Sequence, residues 1–399
     1  MRSNNQCIRT QSKVYELVGG VLQRHLSLAD FGRTCPIKVL LAIWLFAATR
    51  RLSLSAAAQQ LSQGPSDETV RQATLAQLST MPQLERQLNA ALCDRLPPSI
   101  RRQRMIWAID LTERPYYGKS QGIGPQLRPG KPKRGATKFH VFASLYVVHR
   151  GERFTVAVTY AWHKDTLPAI LARLIGPVRK RGILPRFLLL DRQFYNLDVV
   201  QFLQSHRVPF LMPVVHRGRR AKDPSKAKGT QQFLTWTRSG RCQYTMRNNR
   251  RTAEVTILVA VDEPAKKKHR RRKSKVRRRV LVFAAWGFDV PSPAWARETY
   301  RKRFGIETSY RQAQQAQAWT TSRSCKLRLL LFGLALLLRN AWVWLHRSVL
   351  SRPLPNGAFV MQPDQLRLFM LLIHLEQEIL HLFGLSGLAL PPPPSHPPP

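Results

Sequence analysis

Carboxylates are scarce in this chain. Its 399 residues hold 22 Asp plus Glu against 65 Lys plus Arg, a formal net charge of +43 at pH 7. Self-repulsion on that scale opposes a compact state unless a polyanion neutralises it. Nucleic acid is the commonest such partner, with membrane surface and ribosomal RNA as its competitors. Cysteine is scarce as well: five residues, an odd number, and no C-x-x-C spacing, which argues against a disulfide framework and a structural zinc site. The N-terminal residues lack the apolar core of a signal peptide, so the expected compartment is the reducing cytoplasm, at the nucleoid if the polyanion is DNA. No uninterrupted apolar run is long enough to cross a bilayer. Leu329–Leu338 stops after ten residues with charges close by, so it reads as a buried core helix and no membrane partner is expected.

Against that background an acid set in an apolar strand is informative, and the layout of the chain shows where strands fall. Residues 1–100 read as helical. Thr34 precedes Pro36 as a cap, Val39–Ala48 is an almost continuous apolar run, and Ser53–Leu61 is followed by a helix from Asp67 to about Leu78 capped by Ser66. The pair flanking Ser62–Gln63–Gly64–Pro65 fits a DNA-reading helix-turn-helix, and equally any small helical hairpin. Residues 101–214 are mixed: a strand Met105–Leu111, a hairpin of Lys138–His149 and Arg153–Trp162, a helix Leu167–Lys180, a strand Phe187–Leu190, a helix Leu197–His206 and a strand Val208–Pro213. Antiparallel strands first and alternating elements later describe an α/β fold, a mixed sheet flanked by helices.

Residues 215–290 interrupt that rhythm as a basic, β-rich insertion, with strands expected at Gln231–Thr237, Gln243–Arg247, Ala253–Val261 and Val280–Trp286. Between the last two lies Lys266–Arg279, eleven of whose residues are Lys or Arg. Such a run is commonly a solvated loop, yet Lys266, Lys267, Lys268, Arg270, Arg271 and Arg272 are candidate phosphate contacts even so. Residues 291–350 supply a polar helix, Ser292–Gln317, and the apolar helix. Residues 351–399 supply a C-terminal helix and a Pro-rich tail expected to be disordered.

Two acids share one kind of position. Asp110 is expected to end the strand WAIDL that begins at Trp107, and Asp191 the strand FLLLD that begins at Phe187. A carboxylate closing a buried strand faces the crevice where α/β sheets bind ligands. Paired carboxylates can hold two divalent ions about 3.5–4 Å apart, an arrangement that activates water or a 3′-hydroxyl for attack on phosphate. Mg²⁺ suits such a site because water and phosphate oxygens fill its remaining positions. Glu307 is the candidate third acid. On the helix Ser292–Gln317 it shares a stripe with Tyr300, Arg303, Arg311 and Gln314, where it would complete the metal site while arginines hold phosphates. Helical spacing alone would equally describe a solvated face.

WAIDLTERPYYG (107–118), DRQFYN (191–196) and Tyr300-x2-Arg303-x3-Glu307 resemble, in order, the three signature blocks of DDE transposases from bacterial and archaeal insertion sequences. Eighty residues lie between the two aspartates and 115 between Asp191 and Glu307, which resembles the hairpin-forming branch whose RNase H-like core is split by a β insertion. Thr320–Ser322 and Arg339–Asn340 look similar too. Gln193 stands where relatives usually carry glycine, and Gln314 where they often carry lysine, with Arg311 a possible replacement for the phosphate contact. The resemblance implies an RNase H-like catalytic core, an N-terminal helical DNA-binding domain, and Asp110, Asp191 and Glu307 as ligands of two Mg²⁺ ions, with Mn²⁺ able to substitute. It implies cut-and-paste transposition through a DNA hairpin, acting as a homodimer on terminal inverted repeats and target DNA. Tyr300 and Arg303 would position that DNA. Trp236 would either stack on a flipped base or serve as a core residue, and Tyr116 and Tyr117 would line the DNA channel or close the sheet edge. Two alternatives stay open: an RNase H-like nuclease that cuts without joining, and a decayed transposase that only binds DNA.

Overall fold

A computed structural model describes residues 10–30, 32–61, 64–149, 152–218, 226–262, 279–350 and 366–384. The basic residues Lys266, Lys267, Lys268, Arg270, Arg271 and Arg272, the Ser62–Gln63 turn and the Pro-rich tail lie outside them. The described residues form two compact units, one built from those up to Asp94 and from Gln312 onward, the other from Arg95 to Arg311.

The first unit is helical. Leu40–Ala48 in the helix Ile37–Arg50 are all buried, as the unbroken apolar run requires. This helix begins beside Pro36 and not at a Thr34 cap. Ser53 and Ser66 do act as caps, accepting from the amides of Ala56 and Thr69 for the helices Leu54–Gln60 and Asp67–Gln77. The apolar helix Cys325–Leu345 is buried over almost its whole length and packs on Met81–Cys93 and Ile37–Arg50. It is the one described helix long and apolar enough to cross a bilayer, and its burial marks it as core. Gly333 lets it approach, since a Cβ there would stand 2.8 Å from Leu88 Cδ1. Sequence reading groups this helix with the Glu307 segment; in the structure it belongs to the helical unit, because a helix apolar all round needs helices around it.

The second unit holds one nine-stranded mixed sheet: β1 (Arg104–Tyr116), β2 (Arg128–Lys133), β3 (Ala136–His149), β4 (Glu152–Ala161), β5 (Leu184–Leu189), β6 (Phe210–Pro213), β7 (Gly240–Asn248), β8 (Arg251–Asp262) and β9 (Arg279–Trp286). The strand order is β2-β3-β1-β5-β6-β9-β8-β7, with β4 also on β3. β1 is antiparallel to β3 and parallel to β5, which is parallel to β6. β9 then pairs with β6 antiparallel, so the 215–290 segment prolongs the sheet by three strands. Two expected elements differ. Gln231–Thr237 is not a strand: Gly229–Thr235 is a 3₁₀ helix, fixed by Thr230, whose hydroxyl bonds the Val215 carbonyl and the Arg217 amide. Ser292–Gln317 is not one helix but Pro293–Arg301 and Phe304–Ala313, followed by a 3₁₀ turn at Gln314–Ala316.

Candidate active site

Sheet register brings the two aspartates together. The parallel pairing of β1 with β5 ends at Ala108↔Leu189, and Asp110 and Asp191 each lie two residues beyond that pair. Asp191 follows the end of β5 as expected. Asp110 does not end its strand, since β1 continues to Tyr116 with β3 as partner. The crevice arises because β5 stops while β1 goes on, which leaves one side of β1 open at Asp110. Local backbone bonds orient both carboxylates: Leu111 donates to Asp110 Oδ1 at 2.9 Å, and Arg192 to Asp191 Oδ1 at 2.7 Å, where Asp191 caps a 3₁₀ turn.

The helix break supplies the third acid and a cation. Tyr146 on β3 donates its hydroxyl to the carbonyls of Lys302 (2.9 Å) and Arg303 (3.3 Å). The amides of Arg303, Gly305 and Ile306 bond three residues back. The turn tightens there and the α ladder is interrupted. Gly305 sits against the Arg153 guanidinium with no room for a Cβ. Tyr310, one turn on from Glu307, donates to the Asp110 carbonyl at 3.0 Å and shares a 2.8 Å hydrogen bond with Ser144, the residue paired with Asp110. Tyr310 thus pins this helix pair to β1, the strand that carries Asp110, and Tyr146 pins it to the neighbouring β3.

At the centre lies Arg303. Its Nη1 stands 3.4 Å from Asp110, and its Nη2 3.5 Å from Asp191 and 3.4 Å from Glu307. Acids from three distant parts of the chain therefore meet around one guanidinium. Its side chain is 6 % exposed, against 13 % for Asp110 and 45 % for Glu307. Burial pushes the Asp110 carboxyl up to about 6, with Asp191 and Glu307 adding to the effect and Arg303 opposing it. Burial likewise raises the Tyr300 phenol. The rings of Tyr300 and Phe304 flank the guanidinium at 5.7 and 5.8 Å.

Beside the cluster opens a cleft of roughly 470 Å³, lined by Asp191, Arg192, His216, Arg279, Arg297, Tyr300, Arg301, Arg303 and Phe304 among others. Its walls are strongly cationic, and burial followed by Arg192 holds the His216 imidazole below its usual range. Of its lining, the sequence singles out Asp191, Tyr300 and Arg303 and not the other arginines or His216. Arg192 next to Asp191 and Arg301 next to Tyr300 were the available signals.

The remaining candidates scatter. Arg311 is exposed, and Gln314 belongs to the helical unit. Trp236 is half-buried, edge-on to Phe233 and against Gly240. Tyr116 is buried with Ile123 and Leu127, whereas Tyr117 is 68 % exposed.

Three carboxylates are a suitable donor set for a hard divalent cation, and a cation already sits among them. Their present spacing does not suit one: among the described residues no three His, Cys, Asp or Glu side chains are gathered closely enough to share a metal ion.

Comparison with protein families and with curated proteins gives no match. Among solved structures the chain is similar in fold to the piggyBac transposase, seen by cryo-EM in a synaptic complex with hairpin DNA. The TM-score is 0.52 at 10 % identity, over 94 % of this chain and 78 % of that one.

Proposed function

We propose that this chain is a DDE transposase of an insertion sequence, cutting and joining DNA with Asp110, Asp191 and Glu307. One observation carries the reading: three acids, rare in so basic a chain, converge beside a cleft walled by arginines. The antiparallel β4-β3-β1 followed by the parallel β5 and β6 agrees with the order expected of an RNase H-like core and so supports the same reading, as does the likeness in fold to a transposase. Asp110, Asp191 and Glu307 would hold Mg²⁺, which when bound supplies charge for the phosphate and lowers the pKa of the attacking water. Tyr300, Arg303, Arg192 and Arg301 would hold phosphates in the cleft, with Arg311 and the Lys266–Arg272 run gripping DNA farther out. The helices Leu54–Gln60 and Asp67–Gln77 would contact the transposon end. Paired-end cutting on cytoplasmic, nucleoid DNA, with a hairpin intermediate, would require a homodimer.

The test is a strand-transfer assay with Mg²⁺ and a DNA substrate bearing the inverted repeats that flank the reading frame. Joined products that vanish in Asp110→Asn, while DNA binding persists, are the expected result. Cleavage without joining would assign a nuclease instead, and Asp110→Asn indistinguishable from the native chain would leave only a DNA-binding protein.

A further inference from the structure

We propose that Arg303 makes metal loading depend on DNA: its guanidinium keeps divalent ions out of the carboxylate cluster until a phosphate in the adjoining cleft draws it away. The inference rests on the reading of Asp110, Asp191 and Glu307 as metal ligands. It begins from a conflict, since the donor set suits a metal and the spacing does not. The guanidinium accounts for both, because it touches all three acids at 3.4–3.5 Å and occupies the space between them. An ion attracted to the same oxygens must displace it.

Arg303 is also a loose occupant. Contacts of 3.4–3.5 Å are longer than the roughly 2.7–2.9 Å of charge-assisted hydrogen bonds. Its Nε and Nη1 have no hydrogen-bond partner although the side chain is almost wholly buried. Nε and Nη1 open on different edges of the planar fork, so each is left to find its own acceptor, and a phosphate brings several oxygens. The way out is short, since Arg303 and Asp191 line the cleft together with Arg192, Arg297 and Arg301, where a phosphate would be drawn. The rings of Tyr300 and Phe304 flank the guanidinium and also line the cleft, so an aromatic wall runs from one place to the other. Turning the side chain leaves in place the backbone bonds that hold Arg303, from its amide to Tyr300 and from Ile306 and Tyr146 to its carbonyl. Once it leaves, three carboxylates remain uncompensated and their affinity for a divalent ion rises. The coupling is reciprocal: whatever factor DNA gives to metal binding, metal gives to DNA binding. A chain off its DNA stays metal-poor and chemically silent.

Mn²⁺ binding to the full chain, followed by electron paramagnetic resonance with and without a short DNA duplex, tests this directly. Native chain should bind Mn²⁺ about tenfold more tightly, or better, with duplex present. Arg303→Gln should bind it that tightly without duplex and gain less than about twofold when duplex is added. Arg303→Lys, which keeps a charge and loses the fork, should retain exclusion and lose most of the coupling, and it stands in if the Gln variant does not fold. A folded Arg303→Gln that binds Mn²⁺ no better than the native chain, or an Arg303→Gln or Arg303→Lys chain in which the full duplex effect persists, overturns the proposal and leaves the metal site standing. Failure of native chain and both variants to bind Mn²⁺ even with duplex overturns the metal reading and this proposal together.

Discussion

Asp110 carries its charge at a cost to the fold. Its carboxyl titrates near 6 in the folded chain and near 3.8 when unfolded, burial being the main cause. Between those values the folded state holds a proton that the unfolded state has released, so stability falls as pH rises from about 4 to 6, and the loss is complete above that. Asp110→Asn removes the charge and keeps the shape. Without metal it should melt above the native chain at pH 7, by at most about 3 kcal/mol, and the two should converge near pH 4. Thermal melts in EDTA across that range measure it; a variant less stable at pH 7 would contradict the burial account. On the proposed reading the same substitution should abolish cleavage, and a variant that is more stable and inactive would mark a residue set for chemistry at the expense of stability.

At the scale of elements, the helix pair carrying Arg303 and Glu307 is held by hydroxyls. Tyr310→Phe leaves the Asp110 carbonyl and the Ser144 hydroxyl without that partner, which should cost about 1–3 kcal/mol in urea melts and lower cleavage more than DNA affinity. Gly305→Ala forces a Cβ onto Arg153 and should cost a similar amount, typically about 1–3 kcal/mol. A Gly305→Ala chain as stable as the native one would show that Arg153 gives way freely. These anchors also explain what sequence could and could not reveal. Asp110 and Asp191 were legible because both are acids at the limit of apolar runs, and their side-by-side placement needed only a parallel pairing. That β1 runs six residues past Asp110 was not legible, since Thr112–Tyr116 is polar and is held by its pairing with β3. The helix break at Lys302–Arg303 was illegible too, because Tyr146, which draws off the carbonyls, lies 156 residues away. Local spacing carries no trace of it.

For the molecule as a whole, the +43 charge would set how it meets the DNA proposed as its partner. Affinity should fall steeply with salt, the slope of log K against log salt growing by about 0.9 for each phosphate neutralised. Replacing Arg270, Arg271 and Arg272 by Ala should flatten that slope by up to about 2.7 and leave the sequence preference for the transposon end unchanged. Fluorescence anisotropy at several salt concentrations measures both, and an unchanged slope would remove the run from the DNA contact. Charge was the most legible property of the chain, since it needs no fold. The division into units was the least legible, because the allegiance of Cys325–Leu345 depends on the helices that receive it.

The continuity of the sheet through β6 and β9 has a bearing on how this protein can change over time. β9 hydrogen-bonds to β6 on one side and β8 on the other, so the basic segment is not an appendage that can be trimmed. Excising β7 and β8 would strip the outer side of β9, a strand reading Val-Leu-Val-Phe-Ala-Ala from Val280, and expose an unpaired apolar edge. Such an edge invites pairing with another chain, so the shortened protein should form aggregates. Variation in this region is therefore expected at the tips between strands, where length can change without uncovering a ladder.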